Sequence, residues 1–404
     1  MELPQTVAVK LRDTPVSHCC SAPFRPKAPL PFAAVFILAL MFAGPDAALA
    51  AKGAAAKKSA PAPTAQATPL PEGPAGDAAR AYAAGDFFKA AEIWNKLAAE
   101  GDAQAMNNLG VLYEQGKGVE PDVGRALHWF ENSARAGHLS GMSNYARMLE
   151  QGRGVPVNLE EAVRWFDEAA RKGQAEAQYN LGLLYERGRG VGQSDVAAAA
   201  WYSRAAAQQQ TEALSRLGHF YHLGKGVEKN VGRATMLLYA AAMNGDLQSI
   251  TELEEMAAEG PARPQALLFG QKLDNADRMS MRATLKKIGA PAKREEDNFI
   301  CDLYDVQRLA PGAGQMAACY GPGNPAPLGF VEIDYAAPDK RTAERMERMM
   351  EDRFGPASAS EGDDSRLWNL GTVLVATSYA PARGQLSLMY MVPRVYYLTR
   401  VKSE

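Results

Sequence analysis

A Gly-x-Gly-Val frame recurs at 116–119, 152–155, 188–191 and 224–227, a spacing of 36 residues each time. A fixed period in the range of about 20–50 residues marks a stacked array of small units, none of which buries its own apolar faces. The chain is thereby restricted to a solenoid over this stretch. The ordinary product of a solenoid is an extended binding surface rather than a catalytic pocket.

The four copies are 103–138, 139–174, 175–210 and 211–246. The first half of each carries apolar residues at helical spacing, as in Ala105, Leu109, Leu112 and Tyr113, or Ala177, Leu181, Leu184 and Tyr185. A small residue recurs within that face (Gly110, Ala146, Gly182, Gly218), which predicts close approach of another helix. The glycine pair then ends the first helix. Asp122, Asn158, Ser194 and Asn230 follow at equivalent positions as N-caps of a second helix. That helix carries Ala126, Trp129, Phe130 and Ala134, then Ala162, Trp165, Phe166 and Ala170, then Ala198, Trp201, Tyr202 and Ala206. The fourth copy loosens the pattern to Ala234, Leu237, Leu238 and Ala242. Each copy reads as a helix hairpin, and burial of one Trp, Leu or Phe side chain on stacking contributes roughly 1.5–3 kcal/mol. Ala90, Ile93, Trp94 and Ala98 repeat the second-helix spacing, so 78–102 reads as a capping hairpin, with a closing helix at 247–258.

These motifs resemble the Sel-1-like repeat (SLR), a relative of the tetratricopeptide repeat, through A-x-x-x-N-L-G-x-x-Y-x-x-G-x-G-V at 175–191 and A-x-x-W-F/Y-x-x-A-A at 198–206. The resemblance implies a TPR-like α/α superhelix over 77–260, first helices lining its concave side, and work as a scaffold or adaptor. A cysteine-rich branch of such proteins carries a disulfide in each repeat and has been linked to penicillin binding. This array contains no Cys, which removes that branch.

Upstream, Lys10, Arg12, Arg25 and Lys27 precede an apolar run at 30–43, then Gly44, Pro45 and the small-x-small triplet Ala48-Leu49-Ala50. This is the layout of a cleaved signal peptide over 1–50, the run being shorter than the about 20 apolar residues a bilayer span needs. A start near Val16 would leave Arg25 and Lys27 as the basic segment, and an uncleaved membrane anchor is the alternative. Residues 51–76 are rich in Ala, Pro and Lys and poor in large apolar side chains, so a disordered linker is expected there. Export to the periplasm, or otherwise out of the cytoplasm, follows. The net charge of −2 gives no electrostatic footprint for nucleic acid.

Comparison among the copies separates strict positions from free ones. On the first helices the free stripe reads Asn107, Val111, Glu114; Ser143, Arg147, Glu150; Tyr179, Leu183, Glu186; and Ser215, His219, His222. Such freedom is what plain solvent exposure gives. Its functional reading is a concave groove that recognises a peptide or protein. Asn108, Asn144 and Asn180 recur beside the first-helix leucines, with Arg216 in the fourth copy, and are read as satisfying local hydrogen bonds. His219 and His222 lack the further ligands a zinc site needs. No metal and no other cofactor is expected.

From 261 onward the pattern changes. Helical spacing continues over 265–273 and 278–288, followed by strand-like runs at 299–305, 314–320 and 328–335, a charged helix at 340–354, and strands at 367–377 and 385–392. The expectation for 261–404 is a small α+β domain with an antiparallel sheet. Cys301 and Cys319 fall on consecutive strands, so a disulfide is expected in an oxidising compartment, with two free thiols as the alternative. Asp302, Asp305, Glu332 and Asp334 alternate on strands, a spacing that by itself assigns no acid–base pair. This domain has no His, no catalytic set and no recognised family.

The expectation for the whole chain is an exported, non-enzymatic interaction scaffold of a bacterial-type cell envelope with a peptide or protein partner. The alternatives are a membrane-tethered assembly or secretion factor, and a cell-wall-active enzyme working through the C-terminal domain.

Overall fold

The computed structural model describes residues 72–396 apart from 261–263, 298–299, 310–311, 338 and 362–364. The signal segment and most of the linker read from the sequence lie outside these residues. The described residues divide into two compact units, which meet in the sequence between Ala213 and Leu214.

The first unit opens with α1 (Pro74–Ala83) and α2 (Phe87–Ala99). Pro74, at the start of α1, has its φ already set for a helix, so the helix begins inside the stretch read as linker. Three repeats follow as α3 (Ala103–Gln115) and α4 (Val123–Arg135), α5 (Leu139–Gln151) and α6 (Leu159–Arg171), and α7 (Ala175–Arg187) and α8 (Asp195–Ala206). The caps are those the sequence announces. Asp122 Oδ1 accepts from Arg125 N at 2.9 Å, Asn158 Oδ1 from Glu161 N at 3.1 Å, and Ser194 Oγ from Ala197 N at 3.2 Å. Gly116, Gly152 and Gly188 end the first helices in the left-handed region, at φ 64°, 69° and 66°. The small residue within the helix has a steric cause: a Cβ on Gly110 would lie 2.5 Å from the Phe130 ring, and one on Gly182 2.6 Å from Tyr202. Phe130, Phe166 and Tyr202 are fully buried, whereas the adjoining Trp129, Trp165 and Trp201 are only partly so.

The second unit contains most of α9 (Thr211–Leu223), then α10 (Val231–Met243), α11 (Leu247–Glu259) and the α+β domain. The domain comprises the hairpin β1 (Leu267–Leu268) and β2 (Gln271–Lys272), α12 (Arg278–Lys287), β3 (Ala292–Arg294), β4 (Cys301–Asp305), β5 (Ala313–Tyr320), β6 (Leu328–Ala336), α13 (Lys340–Phe354), β7 (Ala359–Glu361), β8 (Ser365–Asn369), β9 (Leu374–Ala380) and β10 (Gln385–Met391). Strands β3–β10 form one antiparallel sheet in the order β3-β4-β5-β6-β10-β9-β8-β7. One face carries Met316, Val331, Ile333, Leu388 and Tyr390 into a core shared with Met281 and Leu285 of α12 and Phe354 of α13. On the other side, α10 packs against β7 and α11 against β8. This explains why α10 is buried from Ala234 through Met243: the domain covers the helix face that lacks a further repeat.

Two sequence readings change here. The helical spacing over 265–273 belongs instead to the β1–β2 hairpin, whose turn places Phe269 and Gly270 at φ 52° and 83°. The single strand read at 367–377 is two strands, because Asn369 Oδ1 accepts from Gly371 N at 3.0 Å and Gly371 takes φ 90°. Cys301 and Cys319 are directly opposed on β4 and β5 and form a disulfide.

Candidate functional site

The twelve stripe residues occupy three kinds of place. The first position of each triplet faces a neighbouring helix. Asn107 is buried, and its Oδ1 accepts from Asn144 Nδ2 at 2.9 Å. Ser143 is buried and donates to Gln174 Oε1. The half-buried Tyr179 has its ring 5.8 Å from that of Tyr202. In the second unit Ser215 Oγ donates to Asp246 Oδ2 at 2.9 Å and accepts from Ser249 Oγ at 2.9 Å.

The last position closes the junction with a charge. Glu114 of the first repeat accepts from Arg147 Nη1 at 3.0 Å and Nη2 at 2.8 Å, and also from Arg153. Burial pushes the Glu114 carboxyl up, but the hydrogen bonds and charges of Arg147 and Arg153 outweigh it and hold the group below its ordinary value. Glu150 of the second repeat accepts from Arg189 Nη1 at 2.7 Å. Glu186 accepts from Tyr202 Oη at 2.5 Å. Arg153 and Arg189 are the middle residues of the Gly-x-Gly turns, so each turn reaches back to the preceding repeat. The sequence signal for this role was the cation in every copy: Lys117, Arg153, Arg189 and Lys225.

At the end of the array the same positions carry the opposite chemistry. His222 Nδ1 lies 2.8 Å and His219 Nδ1 3.1 Å from Glu252 Oε1 of α11, with His222 Nε2 3.4 Å from Glu259 Oε2. Among the described residues, no group of three or more His, Cys, Asp or Glu is arranged to hold a metal ion.

The middle position is the one left partly open. Val111, Arg147 and Leu183 are half-buried on α3, α5 and α7, and Asn108, Asn144 and Asn180 share that condition one turn earlier. Asn144 serves a local role, donating to Asn107, while its Oδ1 also lies 3.4 Å from Arg147 Nη2. The row of Asn side chains was visible in the sequence as an identity across three copies. It was discounted because its helical neighbours are apolar.

The four carboxylates of the α+β domain do not form one set. Asp302 is fully buried on the core face and takes Arg282 Nε and Nη2, each at 2.8 Å. Glu332 and Asp334 point to the opposite face, where Ser387 Oγ donates to Asp334 Oδ1 at 2.8 Å. Burial first, and then the charge of Asp334, push Glu332 up to about 7.

Stacked helix hairpins with turn-to-helix ion pairs define the chain's class as a helical repeat protein. A family model of the Sel1 repeat matches residues 103–138, 139–174, 175–209 and 211–246, and the chain belongs to that family. It is similar to a Sel1 repeat protein from Oxalobacter formigenes, at 30% identity over 45% of this chain and 74% of that one, with a TM-score of 0.42. It is also similar to a protective antigen of uropathogenic Escherichia coli with an SLR fold, at 28% identity and a TM-score of 0.42, over 46% of this chain and 42% of that one. The chain thus spans less than half the length of the antigen. A putative Sel1 repeat protein from Klebsiella pneumoniae is 26% identical over 45% of this chain and 89% of that one, with a TM-score of 0.31. No curated protein matches. Sel1-repeat proteins are generally protein-interaction scaffolds.

Proposed function

We propose that this protein is an exported, non-enzymatic adaptor of a bacterial-type cell envelope, and that it holds an extended segment of a protein partner against α3, α5 and α7. The observation that supports this reading is the half-exposed row of Asn108, Asn144 and Asn180 beside Val111, Arg147 and Leu183. A carboxamide offers both donor and acceptor, which is what the backbone of an extended peptide needs. Val111 and Leu183 add apolar contact and Arg147 a cation, although that cation is shared with Glu114. The signal-like segment at 1–50 supports export.

The test is capture by the full chain from cross-linked envelopes, comparing native protein with an Asn144→Ala/Asn180→Ala double variant. Loss of a defined set of captured proteins is expected, and an unchanged profile would overturn the binding face. Mass spectrometry of the mature N-terminus is expected to begin at Ala51. Peptides from 30–43 retained in the mature protein would favour the tethered alternative.

A further inference from the structure

A separate feature lies on the second-helix side of the first unit. Helices α6, α7 and α8 leave a cleft of about 480 Å³ lined by Ala170, Arg171, Gln178, Trp201 and Arg204. The repeats themselves supply the comparison that shows what is unusual about it. One period earlier the corresponding residues are Ala134, Arg135, Met142, Trp165 and Glu168. The later cleft therefore exchanges a Met for Gln178 and an acid for Arg204.

The exchange alters the charge balance of the second helix. In the first two repeats each cation near the end of that helix has its own carboxylate one turn earlier. Arg135 lies 2.6 Å from Glu131, Arg171 2.7 Å from Asp167, and Lys172 2.8 Å from Glu168. In the third repeat, Ser203, Arg204, Ala207 and Gln208 stand where Asp167, Glu168, Arg171 and Lys172 stand in the second. Both acids are gone. Arg204 makes no ion pair among the described residues, and its guanidinium lies instead 4.3 Å from the centre of the Trp201 ring. Gln208 reaches back to Gln178 at 2.9 Å, and Gln178 Nε2 donates to Ala170 O at 3.0 Å, so a buried, fixed amide floors the cleft.

A guanidinium stacked on an aromatic face keeps its N–H edge directed outward, ready for a bidentate carboxylate. The partly buried indole offers apolar area beside it. We propose that this cleft is a second docking site, independent of the first-helix face, for an acidic segment of a partner protein. A carboxylate pairs with Arg204, and an adjacent aromatic side chain packs on Trp201, while Arg171 stays paired with Asp167 at the edge of the cleft.

The test uses the full chain and a fluorescein-labelled hexapeptide of aspartate, glutamate and phenylalanine, read by anisotropy at low salt. Saturable binding is expected, weakening as salt rises, because exposed charge pairs are screened. Arg204→Glu restores the acid of the preceding repeat and is expected to lower affinity by about tenfold or more. Arg135→Glu, a charge reversal at the residue one period before Arg171 and outside the cleft, should leave affinity unchanged. Arg204 is exposed, so circular dichroism of the variant should match native protein.

Equal affinity for native and Arg204→Glu protein would overturn the proposal. So would equal binding of a poly-aspartate of the same charge, or of an oligonucleotide, since either would reduce the cleft to general anion attraction. The Asn144→Ala/Asn180→Ala variant should bind the peptide as native protein does. If that variant loses it, the peptide lies on the first-helix face and the cleft assignment fails.

Discussion

The first two junctions of the array and the junction at its end use the same helix positions with opposite chemistry. In the first unit a carboxylate at the end of the first helix receives arginines from the next repeat: Glu114 from Arg147 and Arg153, and Glu150 from Arg189. In the second unit that position is His222, and the following helix supplies the acid, Glu252. Behind α10 the second unit also buries Glu332 beside Asp334. The Tyr239 phenol is fully buried there as well, without a hydrogen-bond partner among the described residues. The junctions of the first unit thus rest on arginine–carboxylate pairs, whereas the second unit also buries a carboxyl whose value is raised. They should respond differently to pH.

The largest expected effect lies in the second unit. Burial and the Asp334 charge raise Glu332 to about 7 from an ordinary 4.5. For an acid whose folded value is raised, the stabilising contribution is complete below the unfolded value and is lost as pH rises through the folded one. The loss amounts to about 3 kcal/mol between pH 4.5 and pH 8 or above. Glu332→Gln keeps the shape and removes the ionisation. Chemical denaturation should show the second unit losing stability from pH 5 to pH 8.5 in native protein and holding it in the variant. An identical pH slope in both would break the contrast between the units.

The matching change in the first unit is Glu114→Gln. It leaves Arg147 and Arg153 facing an uncharged group at a largely buried position, at an expected cost of about 2 kcal/mol. The sign of the pH dependence is reversed here. Glu114 is held below its ordinary value, so its contribution is complete above the carboxylate range and is lost only as pH falls through the lowered value. The cost of the substitution should therefore be the same at pH 6 and pH 8.5. A cost that changes over that range would mean the junction does not rest on the Glu114–arginine pairs.

How much of this was legible in the sequence differs between the two regions for a physical reason. A repeat is its own alignment. The caps Asp122, Asn158 and Ser194, the glycine ends of the first helices and the small residues Gly110 and Gly182 could be read because the same local demand recurs every 36 residues. The α+β domain offers each demand once. The Asn369–Gly371 turn that splits one apparent strand, and the Phe269–Gly270 turn that replaces an apparent helix, were outweighed by the apolar residues around them. The stripe on the first helices was found, but variation among copies does not distinguish a residue facing solvent from one facing the next repeat. Asn107 and Ser143 vary although both are buried, Asn107 against Asn144 and Ser143 against Gln174. The asparagine row is constant over three copies and partly open, and the local hydrogen bond expected from its buried helical neighbours is the one Asn144 makes to Asn107.

The smallest effects concern how α11 is tied to the sheet, where two contacts allow the value of burial to be measured directly. Asn369 Nδ2 donates to Leu253 O at 2.6 Å in a buried site and also holds the Gly371 turn. Arg394 pairs with Glu254 of the same helix at 2.8 and 2.5 Å, but its side chain is 58% exposed. Asn369→Ala strands a buried carbonyl and frees the turn, so it should cost about 1.5 kcal/mol. Arg394→Ala removes an ion pair that water and salt already screen, so it should cost about 0.5 kcal/mol or less and nothing measurable at high salt. Both belong to the second unit, and denaturation monitored through Trp368, which is fully buried in that unit, reads both on one scale. If the two costs come out equal, the helix is held to the sheet by charge rather than by buried hydrogen bonding. The contrast between the units would then narrow to the buried Glu332.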